Sequence, residues 1–246
     1  FTQAKGRRFK KNIILIKYYK NQNTVINHIA FIMDGNGRWA SKKKLKRKEG
    51  HKAGINACIN LLKNLEKLDV HIEELSFYVF STENWKRSFS EIKNLFDLIE
   101  EYYHEFETTA QDNNLKIRHY GSRKKLSKKI LKIIDNVTKK TKKNNSNTIN
   151  LVFNYGSRDE ILNSIKKLKF KNINVNNFTN NLYTSCSSDP DLIIRTGGEF
   201  RLSNFMLWQA AYSELYFTKK LWPDFNILDL QKILVNFKKR KRNFGK

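Results

Sequence analysis

The chain has 246 residues, enough for one sizeable α/β domain, and no internal stretch reads as a linker between two cores. Its two cysteines, Cys58 and Cys186, are far apart, which argues against a disulfide framework or a structural zinc site and favours a reducing compartment. The net charge of +25 invites a nucleic-acid reading, but Lys is spread through nearly every predicted helix, which favours a basic solvated surface; only the blocks Lys42 to Lys48 and Lys238 to Arg242 stand out.

In chain order, residues 1–25 read as a basic N-terminal extension and 26–246 as the folded domain. The apolar run Asn12 to Tyr19 is far short of the roughly 18 residues that a membrane span needs, so any membrane contact is expected to be peripheral. The chain begins at Phe1, which leaves an upstream targeting segment open; the expected location is the cytoplasm or the face of an intracellular membrane. Short β-rich runs then alternate with longer segments of helical period, the pattern of a mostly parallel sheet flanked by helices. Strands are predicted at Ile26 to Met33, Glu74 to Phe80, Leu115 to Tyr120, Thr148 to Phe153, Asp191 to Arg195 and Glu214 to Phe217. Helices are predicted at His51 to Leu68, Ser90 to Gln111, Lys124 to Lys142, Arg158 to Lys169, Ser203 to Tyr212 and Ile227 to Arg240. The segments Lys143 to Asn147 and Asn172 to Asn181 read as polar loops. In the second helix, Ile92, Leu95, Phe96, Ile99, Tyr102, Tyr103 and Phe106 form one broad apolar stripe, read first as core.

In open parallel sheets, ligands sit beyond the carboxyl ends of the strands. There the sequence places Asp34-Gly35-Asn36-Gly37-Arg38-Trp39, Ser81-Thr82-Glu83-Asn84-Trp85-Lys86-Arg87, Asn154-Tyr155-Gly156-Ser157-Arg158 and the run from Arg195 to Asn204. Gly35 and Gly37 let the backbone approach an anion, and the helix that follows can aim free N–H groups at a phosphate. Asp34 would repel that phosphate unless a divalent cation lay between them, so a Mg²⁺–diphosphate pair is the expected ligand. Arg38, Arg47, His51 and Arg87 are placed to neutralise it, while Arg195, Arg201 and Ser203 can hold a separate diphosphate. Two anion sites on one rim suggest two phosphorylated substrates.

Taken singly, these residues also have plain structural readings, with Asp34 or Ser203 as helix caps, Gly35 and Gly37 as turn formers and Arg195 as an ion-pair partner. The rim persuades as a set. His28, His71, His104 and His119 lack ligand spacing and are read as structural. Gly35-x-Gly37-x-x-Ala40 fits a dinucleotide fingerprint, but the acidic residue expected about 20 positions later is missing. A P-loop motif and the D-D-x-x-D of all-helical trans-prenyltransferases are both absent.

Read together, the segments His28 to Ala40, Gly50 to Gly54, Phe80 to Trp85, Ile194 to Glu199, Arg201 to Phe205 and Leu221 to Phe225 resemble the cis-prenyltransferase family, which includes undecaprenyl and dehydrodolichyl diphosphate synthases. The match runs from about His28 to Phe244. The resemblance implies a dimer of α/β subunits, each with a central parallel sheet and an apolar tunnel beside it. It also implies condensation of isopentenyl diphosphate onto an allylic diphosphate, farnesyl or geranylgeranyl, to give a polyprenyl diphosphate, the precursor of a glycosyl carrier lipid such as dolichol. By similarity, Asp34 binds the Mg²⁺–diphosphate of the allylic substrate, with Gly35, Asn36, Gly37, Arg38, Trp39, Arg47, His51, Ser81 and Arg87 around it. Arg195, Arg201 and Ser203 hold isopentenyl diphosphate, Glu214 completes metal binding, and Asn84 and Trp85 orient the reacting groups.

Three positions depart from the family pattern. Ser88 replaces a usual Pro, and Phe200 replaces a His near the metal. Asn243-Phe244-Gly245 stands where self-sufficient homodimers carry Arg-x-Gly, with Arg242 one position early. A homodimer is expected, a catalytic subunit that needs a non-catalytic partner is the main alternative, and a nucleic-acid-binding protein is the remote one. A medium-to-long product is expected, with part of the Ser90 to Gln111 stripe facing the tunnel.

Overall fold

The structure, a computed structural model, describes residues 25–169 and 173–240. The segment Asn12 to Tyr19, nearly all of the N-terminal extension, Arg242 and the Asn243-Phe244-Gly245 departure lie outside the described residues. Six strands, β1 (Val25–Ile32), β2 (His71–Ser81), β3 (Lys116–Tyr120), β4 (Thr148–Tyr155), β5 (Leu192–Arg195) and β6 (Glu214–Phe217), form one sheet in the order β3-β4-β2-β1-β5-β6. Every pairing is parallel. The central strands are apolar on both faces, as a sheet covered on both sides requires. In β1, Ile29 and Phe31 join a core cluster with Leu75, Phe77, Leu192 and Ile194, while Ala30 and Ile32 join another with Val152, Ile193 and Phe205 on the opposite side.

The helices are α1 (Asn36–Lys42), α2 (Arg47–Lys63), α3 (Phe89–Asp112), α4 (Lys128–Lys140), α5 (Ser157–Leu168), α6 (Val175–Thr179) and α7 (Ile227–Lys238). Their starts follow local chemistry: the Ser88 hydroxyl accepts from Glu91 N at 3.3 Å to cap α3, the Ser127 hydroxyl accepts from Ile130 N at 3.2 Å to cap α4, and Asn226 forms a capping box with Asp229 at α7. Helix α2 packs against α1 and α3, and α3 against α4.

Two predicted elements are corrected. Ser203 to Tyr212 is not a helix, because Ser203, Asn204 and Met206 all adopt positive φ (50°, 63° and 46°), which α-helical backbone excludes. Within the predicted loop Asn172 to Asn181 lies α6, whose Phe178 is buried. The helix expected after the glycines is α1, which starts at Asn36 and so includes Gly37. The other elements agree with the sequence reading to within a few residues.

Candidate active site

The rim begins where β1 ends. Gly35, at φ 108°, turns the chain into α1, and a Cβ there would lie 2.8 Å from Leu221 Cδ2, so glycine is required by both conformation and space. Thr196, directly after β5, clamps Asp34 from the neighbouring strand: its hydroxyl accepts from Asp34 N at 3.0 Å and donates to Asp34 O at 2.7 Å. Trp222 N donates to the same carbonyl at 3.0 Å. The carboxylate is thereby aimed between two guanidiniums, Arg195 Nη2 at 3.0 Å from Oδ2 and Arg38 Nη2 at 3.1 Å from Oδ1. Partial burial works to raise the Asp34 pKa, but the hydrogen bonds and charges of Arg195 and Arg38 outweigh it and hold the carboxyl below the ordinary aspartate value.

A second cationic group comes from α2 and from the segment between β2 and α3. Glu91 joins its two arginines, accepting from Arg87 Nη1 at 2.9 Å and lying 3.2 Å from Arg47 Nη2. His51 stands among them, and burial followed by the charges of Arg47 and Arg87 depresses its pKa. Helix α2 comes this close through Gly50 and Gly54. A Cβ on Gly50 would sit 2.1 Å from Asn36 O, and one on Gly54 would sit 2.2 Å from Asn36 Oδ1.

The third group surrounds Arg195, whose side chain is only 5% exposed. Its Nη1 donates to Ser203 Oγ at 2.7 Å and to the carbonyl of Arg201, while its Nε is buried without a partner among the described residues. The Arg201 side chain itself turns outward to Glu199, 2.5 Å away, and the same carboxylate faces Arg38 Nη1 at 3.4 Å.

These groups ring the mouth of a cavity of about 760 Å³ lined by Asp34, Gly35, Asn36, Gly37, Arg47, His51, Ser81, Asn84, Arg87, Arg195 and Ser203. Its inner wall is apolar: Ile55, Cys58 and Ile59 from α2, Leu95, Ile99, Tyr103 and Phe106 from α3, and Ile130, Ile133, Ile134 and Val137 from α4. The stripe on α3 is therefore divided. Ile99 and Tyr103 line the cavity, whereas Phe96 packs against Phe80, Trp85 and Phe153 at ring-centroid distances of 5.5, 5.7 and 5.8 Å.

Of the other candidates only Asn84 reaches the lining; Trp85, Trp39 and Glu214 stand behind it or away from it. Trp85 donates from Nε1 to Asn154 Oδ1 at 2.8 Å, and Asn84 Oδ1 accepts from Ser81 N at 3.0 Å in a capping box. Trp39 lies outside the cavity and holds α1 to the turn after Leu221 through Nε1–H to Asp224 Oδ1 at 2.7 Å. Glu214 requires correction. It opens β6 level with Leu192, which is itself level with Ile29, whereas Asp34 lies past the far end of β1; five residues of strand rise separate them, roughly 16 Å. Glu214 is ion-paired to Arg240 at that opposite end, so within one chain it does not join the Asp34 group. Sequence reading placed Thr196, Glu199 and Asn204 in the run after β5 without giving them roles and did not single out Glu91, since these roles depend on partners elsewhere in the fold; Asn204 accepts from Arg158 N at 2.9 Å and donates to Glu83 at 2.7 Å.

Among the described residues, no group of three or more His, Cys, Asp or Glu side chains could cage a metal ion. Asp34 does fit a hard divalent cation shared with a ligand: each of its oxygens accepts one arginine bond, which leaves lone pairs facing the cavity mouth. Such cations bind through one or two carboxylates, with phosphate oxygens and water completing the shell.

The chain matches the undecaprenyl diphosphate synthase family model over residues 32–245. It is 43% identical to an isoprenyl transferase of Leptospira interrogans serogroup Icterohaemorrhagiae serovar copenhageni, covering 91% of this chain and 96% of that one. It is 44% identical to an isoprenyl transferase of Treponema denticola, covering 89% and 97%. Its fold superposes on lavandulyl diphosphate synthase from Lavandula x intermedia, solved with dimethylallyl diphosphate, with a TM-score of 0.84 at 29% identity, covering 90% of this chain and 98% of that one. A probable undecaprenyl diphosphate synthase from Campylobacter jejuni gives 0.73 at 34% identity, covering 90% and 99%.

Proposed function

We propose, from the premise that this chain belongs to the undecaprenyl diphosphate synthase family of prenyltransferases, that it condenses isopentenyl diphosphate with an allylic diphosphate and extends the product in cis through repeated cycles. The observation that carries this reading is a cavity that is cationic at its mouth and apolar along its depth, which suits an amphiphile with a diphosphate head and a growing hydrocarbon tail. A farnesyl or geranylgeranyl diphosphate primer and a polyprenyl diphosphate destined for a glycosyl carrier lipid fit that shape.

In this reading Arg47, His51 and Arg87, with Asn36, Gly37 and Arg38, take the allylic diphosphate, and Arg195, Ser203 and Arg201 take isopentenyl diphosphate. Glu91 and Glu199 hold the arginines in place in the free enzyme and yield them to the diphosphates. Asp34 would hold Mg²⁺, which when bound supplies charge stabilisation to the departing diphosphate. The arginines add to that stabilisation as the allylic C–O bond breaks and negative charge builds on the leaving group, which favours the transition state over the ground state. Arg195 touches both Asp34 and Ser203, so it couples the two diphosphate sites and fixes the isopentenyl double bond against the allylic carbon. As the new C–C bond forms, the isopentenyl unit loses a proton to the released diphosphate, which restores an allylic diphosphate for the next cycle. The α3 and α4 side chains exclude water from the tail.

A homodimer is the favoured assembly, and Glu214 would then act at a metal only from a second copy. The test of the function is incubation of the purified chain with Mg²⁺, labelled isopentenyl diphosphate and an allylic primer. Label in butanol-soluble product is expected. Label that stays in water, even with a co-expressed second subunit, would overturn the reading.

A further inference from the structure

The wall of the cavity has a strongly asymmetric exterior. Of the 21 residues from Arg123 to Lys143, ten are Lys or Arg and only Asp135 is acidic. The neighbouring helix α3 has the opposite balance, with seven Asp or Glu against Lys93 alone. The excess of lysine is therefore concentrated on the α4 side rather than spread evenly over the wall.

Helix α4 presents its two faces to different surroundings. Ile130, Ile134 and Val137 are buried and line the cavity, while Lys128, Lys132 and Lys139 repeat at helical spacing on the exposed side. Lys124 and Lys125 extend that surface before the helix, and Lys142 and Lys143 after it. None of these seven lysines forms an ion pair among the described residues. Asp135, the one acid on the stripe, is covered by Arg123 with both oxygens at 2.8 Å. A surface recess lined by Gly121, Arg123, Lys124 and Thr138 shares His119 and Ile134 with the main cavity. The basic surface thus lies where the apolar cavity is one layer of side chains from the outside.

We propose that the α4 face, from Lys124 to Lys143, docks this protein on an anionic lipid bilayer. Resting on the proposed prenyl-elongating function, it sets the apolar cavity next to the phase into which its product must pass. Lysines near an anionic surface attract it additively, and their methylene stems can lie along the interface while the ammonium groups meet headgroups. An apolar cavity behind the lysines suits a bilayer and offers nothing to a nucleic acid, for which the same charges would otherwise serve.

The test is co-sedimentation of the full chain, without substrate, with phosphatidylcholine vesicles containing about a third phosphatidylglycerol, since anionic lipid is the attractive component. The triple variant Lys125→Gln/Lys128→Gln/Lys132→Gln is compared with Lys166→Gln/Lys167→Gln/Lys169→Gln, which removes equal charge from exposed positions on α5 and just after it. The α4 variant should lose at least about tenfold in partitioning with an unchanged melt, and the other should stay within about twofold, given an attraction per lysine of about a factor of five. Equal losses in the two variants, equal binding to pure phosphatidylcholine, or tighter binding to RNA than to vesicles at the same salt would each overturn the proposal. Because no turnover is measured, a failure here is distinct from a failure of the enzymatic reading.

Discussion

Arg195 and Asp34 join the two halves of the proposed diphosphate-binding rim, with Nη2 3.0 Å from Oδ2 and the Arg195 side chain almost wholly buried. The pair sets how Asp34 must be tested. Asp34→Ala would leave a buried guanidinium without its carboxylate, a change that costs several kcal/mol in its own right. Asp34→Asn keeps an acceptor for Arg195 and removes the charge. Its turnover should fall more than tenfold, equivalent to at least ~1.4 kcal/mol of barrier, with the melting temperature nearly unchanged. A circular-dichroism melt beside the rate assay separates the two effects.

The cation groups should be separable by substrate. Arg201→Ala is expected to raise the Michaelis constant for isopentenyl diphosphate more than that for the primer, and Arg87→Ala to do the reverse. Equal rises for both substrates in both variants would mean that the assignment of groups to substrates is wrong.

His51 should make diphosphate binding pH-dependent. Burial, then Arg47 and Arg87, lower its pKa from the usual 6.5, so in the free protein it is neutral at pH 7. A bound diphosphate favours the imidazolium and raises that pKa, so binding takes up a proton and strengthens as pH falls below neutrality. The same lowered pKa makes the fold lose stability as pH falls through 6.5, since the unfolded chain protonates first. Calorimetry in buffers of different ionisation enthalpy should detect proton uptake in wild type and a smaller uptake in His51→Gln.

Chain length should respond to the two kinds of α3 side chain in opposite ways. Ile99→Ala and Tyr103→Ala enlarge the cavity and should shift the product distribution longer, as read by thin-layer chromatography. Phe96→Ala breaks an aromatic cluster with Phe80, Trp85 and Phe153, and should lose about 3–5 kcal/mol of stability with little change in length.

That division shows where sequence reading stops. The strands were legible because β1, β2, β4 and β5 are apolar on both faces, and residues after them stood out as phosphate chemistry. A 3.6-residue period marks an apolar stripe, but it does not say whether Phe96 or Ile99 meets protein or cavity, because both are equally apolar. Ser203 to Tyr212 read as helical because composition there is ordinary, while the positive φ at Ser203, Asn204 and Met206 follows from tertiary contacts: Asn204 O accepts from Ser157 N at 2.8 Å. Glu214 entered by resemblance alone, and only strand register reveals its distance from Asp34. Glu91 sits on an exposed helical face in sequence, and its contact with Arg47 across two helices became visible only in the fold.

The most direct measurement of the account is the structure of the product itself: labelled polyprenyl diphosphate made by the purified chain, dephosphorylated and examined by proton NMR for the geometry of each added unit. The account predicts chains several units longer than the primer in which every added double bond is Z. Added E double bonds, or a primer recovered without extension while Mg²⁺ and isopentenyl diphosphate are in excess, would contradict it.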